Sequence, residues 1–263
     1  MTGSTPPKPD DAKPVTPPSE WGKGPPPPEV LKFLQGPQKR HFELGQALRI
    51  FMEIIRGFRS FHFLSPCVTV FGSARVPEES PYYGMAREVG TRLARAGFTV
   101  MTGGGPGIME AANRGAKDVG GFSVGCNIEL AHEQRPNSYL DRWVTFKDFA
   151  VRKLMLVKYS YAFIGMPGGF GTMDELFGVA TLIQTKKIRS FPLVLVGKDY
   201  WKPLLDFISG KLLAENAIDP DDARLFHVTD SPEEAVASIT QVAMDQFGLS
   251  YGPRARRRGY FWE

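Results

Sequence analysis

Apolar residues recur along this chain in short uniform runs separated by helical patterns. The runs are Val68–Gly72, Thr99–Thr102, Ser123–Asn127, Trp143–Phe146, Ala162–Met166, Pro192–Val196 and Phe226–Val228. Helical periodicity fills most of the gaps, at about 82–96, 107–119, 147–159, 172–186, 201–215 and 232–246. The last of these opens on Ser231 as N-cap, Pro232 at the first position and Glu234 three after the cap. Strands that are apolar on both faces and alternate with helices predict an α/β fold: a doubly wound, Rossmann-like parallel sheet of about seven strands with helices on both faces. Ahead of it, Leu44, Leu48, Phe51, Ile55 and Phe58 recur at spacings of three and four. They predict an amphipathic helix over 38–62, ended by Pro66. The stretch 129–142 has no clear period and is polar, as functional loops often are.

Composition changes this picture only at the ends. Of the 22 prolines in 263 residues, 11 lie in residues 1–37. Few large apolar residues accompany them, so the segment cannot offset its ordering entropy and reads as a disordered, polyproline-leaning tail. It reads first as a solubilising tail and second as a docking peptide. The single domain is expected over 38–248, with a basic tail over 249–263 carrying Arg254 and Arg256 to Arg258. That cluster reads as solvated, and no nucleic-acid partner is expected. There is no apolar leader run and no stretch long enough to span a bilayer, so no membrane association is expected. Cys67 and Cys126 sit inside apolar runs as free thiols, which suits a reducing cytoplasm. His41, His62, His132 and His227 are scattered without ligand spacing, so no metal site is expected.

Ligands of open α/β sheets sit beyond the carboxyl ends of strands. Three segments lie there: Gly72-Ser73-Ala74-Arg75, Gly103-Gly104-Gly105-Pro106-Gly107 running on to Glu110, and Pro167-Gly168-Gly169-Phe170-Gly171-Thr172-Met173-Asp174-Glu175. Neither glycine loop has the Gly-Lys-Ser/Thr of a P-loop or the spacing of a dinucleotide fingerprint. No cofactor is expected, and a mononucleotide phosphate fits better. The plainer alternative is a set of tight strand-to-helix turns. Glu175 likewise has two readings, as the far end of a Thr172–Glu175 capping box or as a group facing a ligand. Asp174 and Glu175 are adjacent on a helix, so only one of them can face the ligand well. Arg152 and Lys153 open the helix before the fifth strand. Set among Val151, Leu154 and Met155, they read as cations aimed at an anion.

The 167–175 segment resembles the P-G-G-x-G-T-x-x-E signature of the Lonely Guy family, cytokinin riboside 5′-monophosphate phosphoribohydrolases once labelled lysine decarboxylases. The Arg152-Lys153 pair and the Gly103–Glu110 loop resemble its other motifs, and the likeness covers roughly residues 67–245. The resemblance implies hydrolysis of the N-glycosidic bond of a nucleoside 5′-monophosphate, AMP or N6-prenyl-AMP, to free base and ribose 5-phosphate. It implies Arg152 and Glu175 as the catalytic pair. Substrate binding would fall to Gly168, Gly169, Phe170, Gly171 and Thr172, with Lys153 and Thr181 in the site and Ser73, Arg75, Gly103, Gly104, Gly105, Glu110 and Glu133 contributing. The extra length resembles the longer branch, which implies a homo-dimer or larger homo-oligomer. The alternative is a non-catalytic nucleotide or molybdenum-cofactor carrier on the same fold. Every motif lies between Phe71 and Thr181, so residues 1–37 are expected to be dispensable for hydrolysis.

Overall fold

The computed structural model describes residues 28–129, 136–188 and 191–247. Most of the expected N-terminal tail, the basic C-terminal tail and Glu133 therefore lie outside the described residues. All seven apolar runs are strands: β1 Cys67–Phe71, β2 Thr99–Thr102, β3 Ser123–Ile128, β4 Arg142–Phe146, β5 Ser160–Gly165, β6 Leu193–Val196 and β7 Phe226–Thr229. They form one seven-stranded sheet in the order β4-β3-β2-β1-β5-β6-β7, parallel at every pairing. The helices are α1 Pro28–Leu34, α2 Arg40–Phe61, α3 Pro81–Arg95, α4 Ile108–Asp118, α5 Phe149–Lys158, α6 Phe170–Gln184, α7 Lys198–Phe207 and α8 Pro232–Phe247. A π-helical turn, Ile208–Leu212, prolongs α7.

Alternate strand residues face opposite sides, so β1 feeds two cores. Val68 and Val70 pack with Val89 and Leu93 of α3, Ala112 of α4 and Ile239 of α8. Cys67 and Phe71 pack with Met155 of α5, Val179 of α6 and Phe61 of α2. Burial holds the Cys67 thiol up to about 12 and raises the Cys126 thiol as well, so neither is a ready nucleophile at neutral pH. No helix among the described residues is long and apolar enough to cross a membrane.

The N-terminal region departs from one expectation and adds a detail to another. First, Pro28–Leu34 is helical although it falls within the expected tail. Pro28 occupies a first-turn position, where its missing N–H costs nothing, and Gly36 (φ +110°) ends the turn. Lys32 lies 4.6 Å from the Phe42 ring centroid and Glu29 pairs with Arg49 at 3.7 Å, which folds α1 back on α2. The proline count obscured this because Pro28 and Pro37 flank the helix rather than interrupt it. A truncation at Gln38 would remove α1. Second, the predicted amphipathic helix is present as α2, and its apolar stripe is only partly covered by the domain. Leu44, Leu48 and Phe51 are exposed, and the buried residues are Gln46, Gly57 and Phe61.

Candidate active site

The sheet order reverses between β1 and β5. The chain runs outward from β1 through β2 and β3 to β4, then returns to β5 on the other side of β1. A crevice opens at such a switch point, and the three motif loops line it. Ser73 clasps them together. Its N–H donates to the Pro167 carbonyl at 3.0 Å, and its carbonyl accepts from the Ile108 N–H at 3.0 Å. Its hydroxyl accepts from the Arg75 N–H at 3.1 Å, so Ser73 organises the turn while Arg75 stands exposed at the mouth. Gly107 sits at φ +66°, and a Cβ there would come within 2.5 Å of the Ser73 carbonyl oxygen, so close approach of these loops requires glycine.

Helix α6 starts at Phe170 with Gly169 as N-cap and no side-chain cap. Its first turn thus presents main-chain N–H groups beside the switch point, an anion-binding geometry. Phe170 is 96% exposed and points away from the core. Thr172 lies inside the helix with its hydroxyl against Gly168. This overturns the capping-box reading: the cap is three residues earlier, and Glu175, the sixth helical residue, is free for other work.

Glu175 is 6% exposed. Its Oε1 accepts from Arg152 Nη1 at 3.3 Å, and its Oε2 is buried with no hydrogen-bond partner among the described residues. Arg152 comes from the second half-turn of α5 rather than its opening residue. Asp148 caps that helix by accepting from the Ala150 and Val151 N–H groups, while Glu53 of α2 accepts from the Lys147 and Asp148 N–H groups. Arg152 Nε donates to the Cys126 carbonyl of β3 at 2.9 Å, which fixes the guanidinium. Burial raises the Glu175 pKa above the ordinary carboxylate value. The nearby charges of Arg152 and then Lys153 oppose that rise, and Asp174 adds to it.

The remaining residues divide clearly. Lys153 pairs with Asp174 at 2.7 Å and donates to its carbonyl at 3.2 Å, pinning α5 to α6 beside the pair rather than pointing at it. Glu110 accepts from the Tyr83 hydroxyl at 3.1 Å, so its carboxylate is engaged toward α3. Thr181 lies on the exposed side of α6 with its hydroxyl donated to the Phe177 carbonyl, away from Glu175. Gly103 to Gly105 approach closely. Gly104 N–H donates to Thr102 Oγ1 at 2.9 Å, and Asn137 Nδ2 donates to the Gly105 carbonyl and to Asn113 Oδ1, each at 3.0 Å. Asn137 and Tyr200 are site-shaping residues that the sequence reading missed. Tyr200 donates its hydroxyl to the Gly168 carbonyl at 2.8 Å. Only the polarity of the 129–142 stretch hinted at Asn137. Among the described residues, no group of His, Cys, Asp and Glu is placed to hold a metal.

A Cβ on Gly103 would lie 2.5 Å from Arg152 Nη2 and 2.7 Å from Met109 Sδ. Both atoms lie toward the outer parts of side chains rather than on the backbone, so the fold should absorb Gly103→Ala only by shifting the guanidinium from the position its bond to the Cys126 carbonyl gives it. The expected result is a drop in kcat of about tenfold or more with a denaturant midpoint close to wild type. An unchanged kcat would show that Arg152 does not need its present position.

Residues 109–239 match the family model described as possible lysine decarboxylase. The chain is 31% identical to the cytokinin riboside 5′-monophosphate phosphoribohydrolase of Rhodococcoides fascians, over 65% of this chain and 88% of that protein. It is 29% identical to the pyrimidine/purine nucleotide 5′-monophosphate nucleosidase of Escherichia coli K12, over 62% of this chain and 39% of that one. Among solved structures, it resembles the molybdenum cofactor carrier protein of Chlamydomonas reinhardtii at 25% identity, with a TM-score of 0.53 and coverage of 69% of this chain and 99% of that one.

Proposed function

Because this chain belongs to the cytokinin riboside 5′-monophosphate phosphoribohydrolase family, whose curated relatives are N-glycosyl hydrolases, we propose that it cleaves the N-glycosidic bond of AMP-like 5′-monophosphates. The substrates on this reading are AMP and N6-modified, cytokinin-type adenosine monophosphates. The products are the free base and ribose 5-phosphate. The observation that carries the reading is the buried Glu175 Oε2, which has no hydrogen-bond partner among the described residues and stands beside Arg152 near the start of α6, a start without a side-chain cap.

In this mechanism the phosphate sits on the main-chain N–H groups of Gly168 to Thr172, favoured by the α6 dipole. Glu175 lies about 7.5 Å further along the helix axis, so the ribose extends toward it. As the C1′–N bond breaks, positive charge grows on the ring, and the Glu175 carboxylate offsets it. A water oxygen then bonds to C1′ and yields its proton to Glu175, the departing base takes a proton from solvent at nitrogen, and Glu175 releases its proton to solvent to close the cycle. Arg152 keeps Glu175 ionised and aimed. The family reading also implies a homo-dimer or larger assembly, and the free thiols suit a reducing cytoplasm.

A product assay across a panel of nucleoside monophosphates tests this directly. Base and ribose 5-phosphate should appear in equal amounts. Intact AMP and N6-isopentenyl-AMP after long incubation would refute it. The second reading, a non-catalytic nucleotide or cofactor carrier, draws on the likeness to the molybdenum cofactor carrier fold. It requires tight binding in calorimetry with no base released.

A further inference from the structure

Arg152 meets Glu175 only while the start of α5 is held in place. Four main-chain N–H groups at that start are taken by two carboxylates rather than by the helix itself. Asp148 Oδ1 accepts from Ala150 and Val151, at 2.9 and 3.1 Å. Lys147 and Asp148 both donate to a single atom of another element, Glu53 Oε2 of α2, at 3.1 and 3.2 Å. From Glu53 to Arg152 the path is then main chain. Glu53 holds the Asp148 N–H, and the Asp148 carbonyl accepts the Arg152 N–H at 3.1 Å. Beyond that lies only Arg152 itself, with Nε on the Cys126 carbonyl and Nη1 on Glu175. One turn along α2, Gly57 lets the two helices close up, since a Cβ there would come within 2.7 Å of Met155 Sδ. Glu53 is half-buried and lies ahead of residues 109–239, which carry the match to the family model.

We propose that Glu53 is a positioning residue for Arg152, supplied by a helix outside the family match. It fixes the start of α5, and with it the point from which the guanidinium reaches the Cys126 carbonyl and Glu175. The kinetic consequences rest on the hydrolase reading; the geometry does not. Glu53 is not needed merely to dock α2. Phe61 is buried in the core beside Met155, Arg142 Nη1 donates to the Ser60 carbonyl at 2.8 Å, and Lys158 lies 5.2 Å from the Phe58 ring centroid. Those contacts hold the later turns of α2 without it. What Glu53 adds is an acceptor at a set reach. Aspartate keeps the charge but withdraws the carboxylate by about 1.5 Å, one carbon–carbon bond, and leaves both N–H groups unmet. Glutamine gives up the charge but keeps an oxygen at the same reach. A displacement of about 1 Å in the site can cost about a hundredfold in rate. The phosphate, held at the start of α6, lies outside this linkage, so the loss should fall on kcat and spare KM.

The experiment compares Glu53→Ala, Glu53→Asp and Glu53→Gln in the full chain by two readouts. The first is AMP hydrolysis. Alanine and aspartate should each lower kcat about tenfold or more with KM within about threefold, and glutamine should restore kcat to within about threefold of wild type. In an Arg152→Lys background, where the guanidinium fork is gone, Glu53→Ala should lower the residual kcat by no more than about twofold. The second readout needs no turnover. It is the solvent exchange of the Arg152 Nε–H, followed by nuclear magnetic resonance of isotope-labelled protein and identified by its absence in Arg152→Lys. Exchange should be slow in wild type and in Glu53→Gln, and faster by about tenfold or more in the other two. Wild-type kcat or slow Nε–H exchange in a folded Glu53→Ala overturns the proposal. So does an equal loss in the Arg152→Lys background, which would mark a structural role alone, or a glutamine variant that falls as far as alanine. Should the alanine variant fail to fold, aspartate against glutamine decides, same charge against same reach. A wild type that releases no base from AMP refutes the hydrolase reading, and the Nε–H exchange then decides this one by itself.

Discussion

Glu175→Gln is expected to lower kcat by about a thousandfold and to leave the protein at least as stable as wild type at neutral pH. The two outcomes come from the same atoms. The glutamine side chain retains an oxygen for Arg152 but offers no negative charge to a developing oxocarbenium ion and no site for a proton. Capping is not at stake, since Gly169 is the cap. The stability sign follows from the raised pKa of Glu175, whose first cause is burial. Between the ordinary carboxylate pKa and the raised one, the native state holds more protons than the unfolded state. Stability of the wild type therefore falls as pH rises through that window, and the loss persists above it. Glutamine removes that loss. The same shift places the acid limb of the wild-type kcat/KM profile above the ordinary glutamate range. Stopped-time product assays and urea midpoints over a pH series read both effects. Normal turnover by the glutamine variant would reduce Glu175 to a structural partner of Arg152.

How much of this was legible beforehand depends on the range of the interaction. The strands were readable because each is a short apolar run, and a parallel strand buried on both faces needs nothing else. The loop proposed to hold the phosphate was readable as a motif because its residues are contiguous: glycines, then a helix start, then Glu175 one and a half turns on. Contacts that close through space were not readable. Tyr200 reaches Gly168 across 32 positions, and Asn137 reaches Gly105 across 32 as well. The capping-box reading of Thr172 failed because a pattern of residue types does not say where the helix begins. With Gly169 able to serve as cap, the start moved three residues upstream. Lys153 was placed in the site by the motif resemblance, yet neighbouring helical residues diverge by about 100°, and Lys153 pairs with Asp174. The stripe on α2 was a correct period, read without a partner. Periodicity gives the face but not what covers it, and a helix that is apolar on two sides satisfies the same pattern twice.

Replacing Arg152 with methionine should be the most damaging single change to stability in the site, at about 3 kcal/mol, and it should also lower kcat about a hundredfold. Methionine fills much of the aliphatic volume, so the cost is chiefly electrostatic. The side chains of Arg152 and Glu175 are 15% and 7% exposed, and removing the guanidinium leaves a buried carboxylate that has lost its partner. The Cys126 carbonyl loses its donor at the same time. With the largest opposing charge gone, Glu175 should titrate still higher. The variant's stability should then fall more steeply than wild type as pH rises, and the gap between them should narrow in acid, where Glu175 is neutral in both. The decisive comparison is the double variant Arg152→Met/Glu175→Gln. Without a buried charge to leave unpaired, it should regain most of the stability lost by Arg152→Met alone, while activity stays at the level of Glu175→Gln. Lysine at 152 should rescue little, because an ammonium cannot serve the Cys126 carbonyl and Glu175 in the fixed fork that the guanidinium uses. If the double variant is as unstable as the methionine single, the pair is not energetically coupled, and Arg152 stabilises the fold through β3 alone.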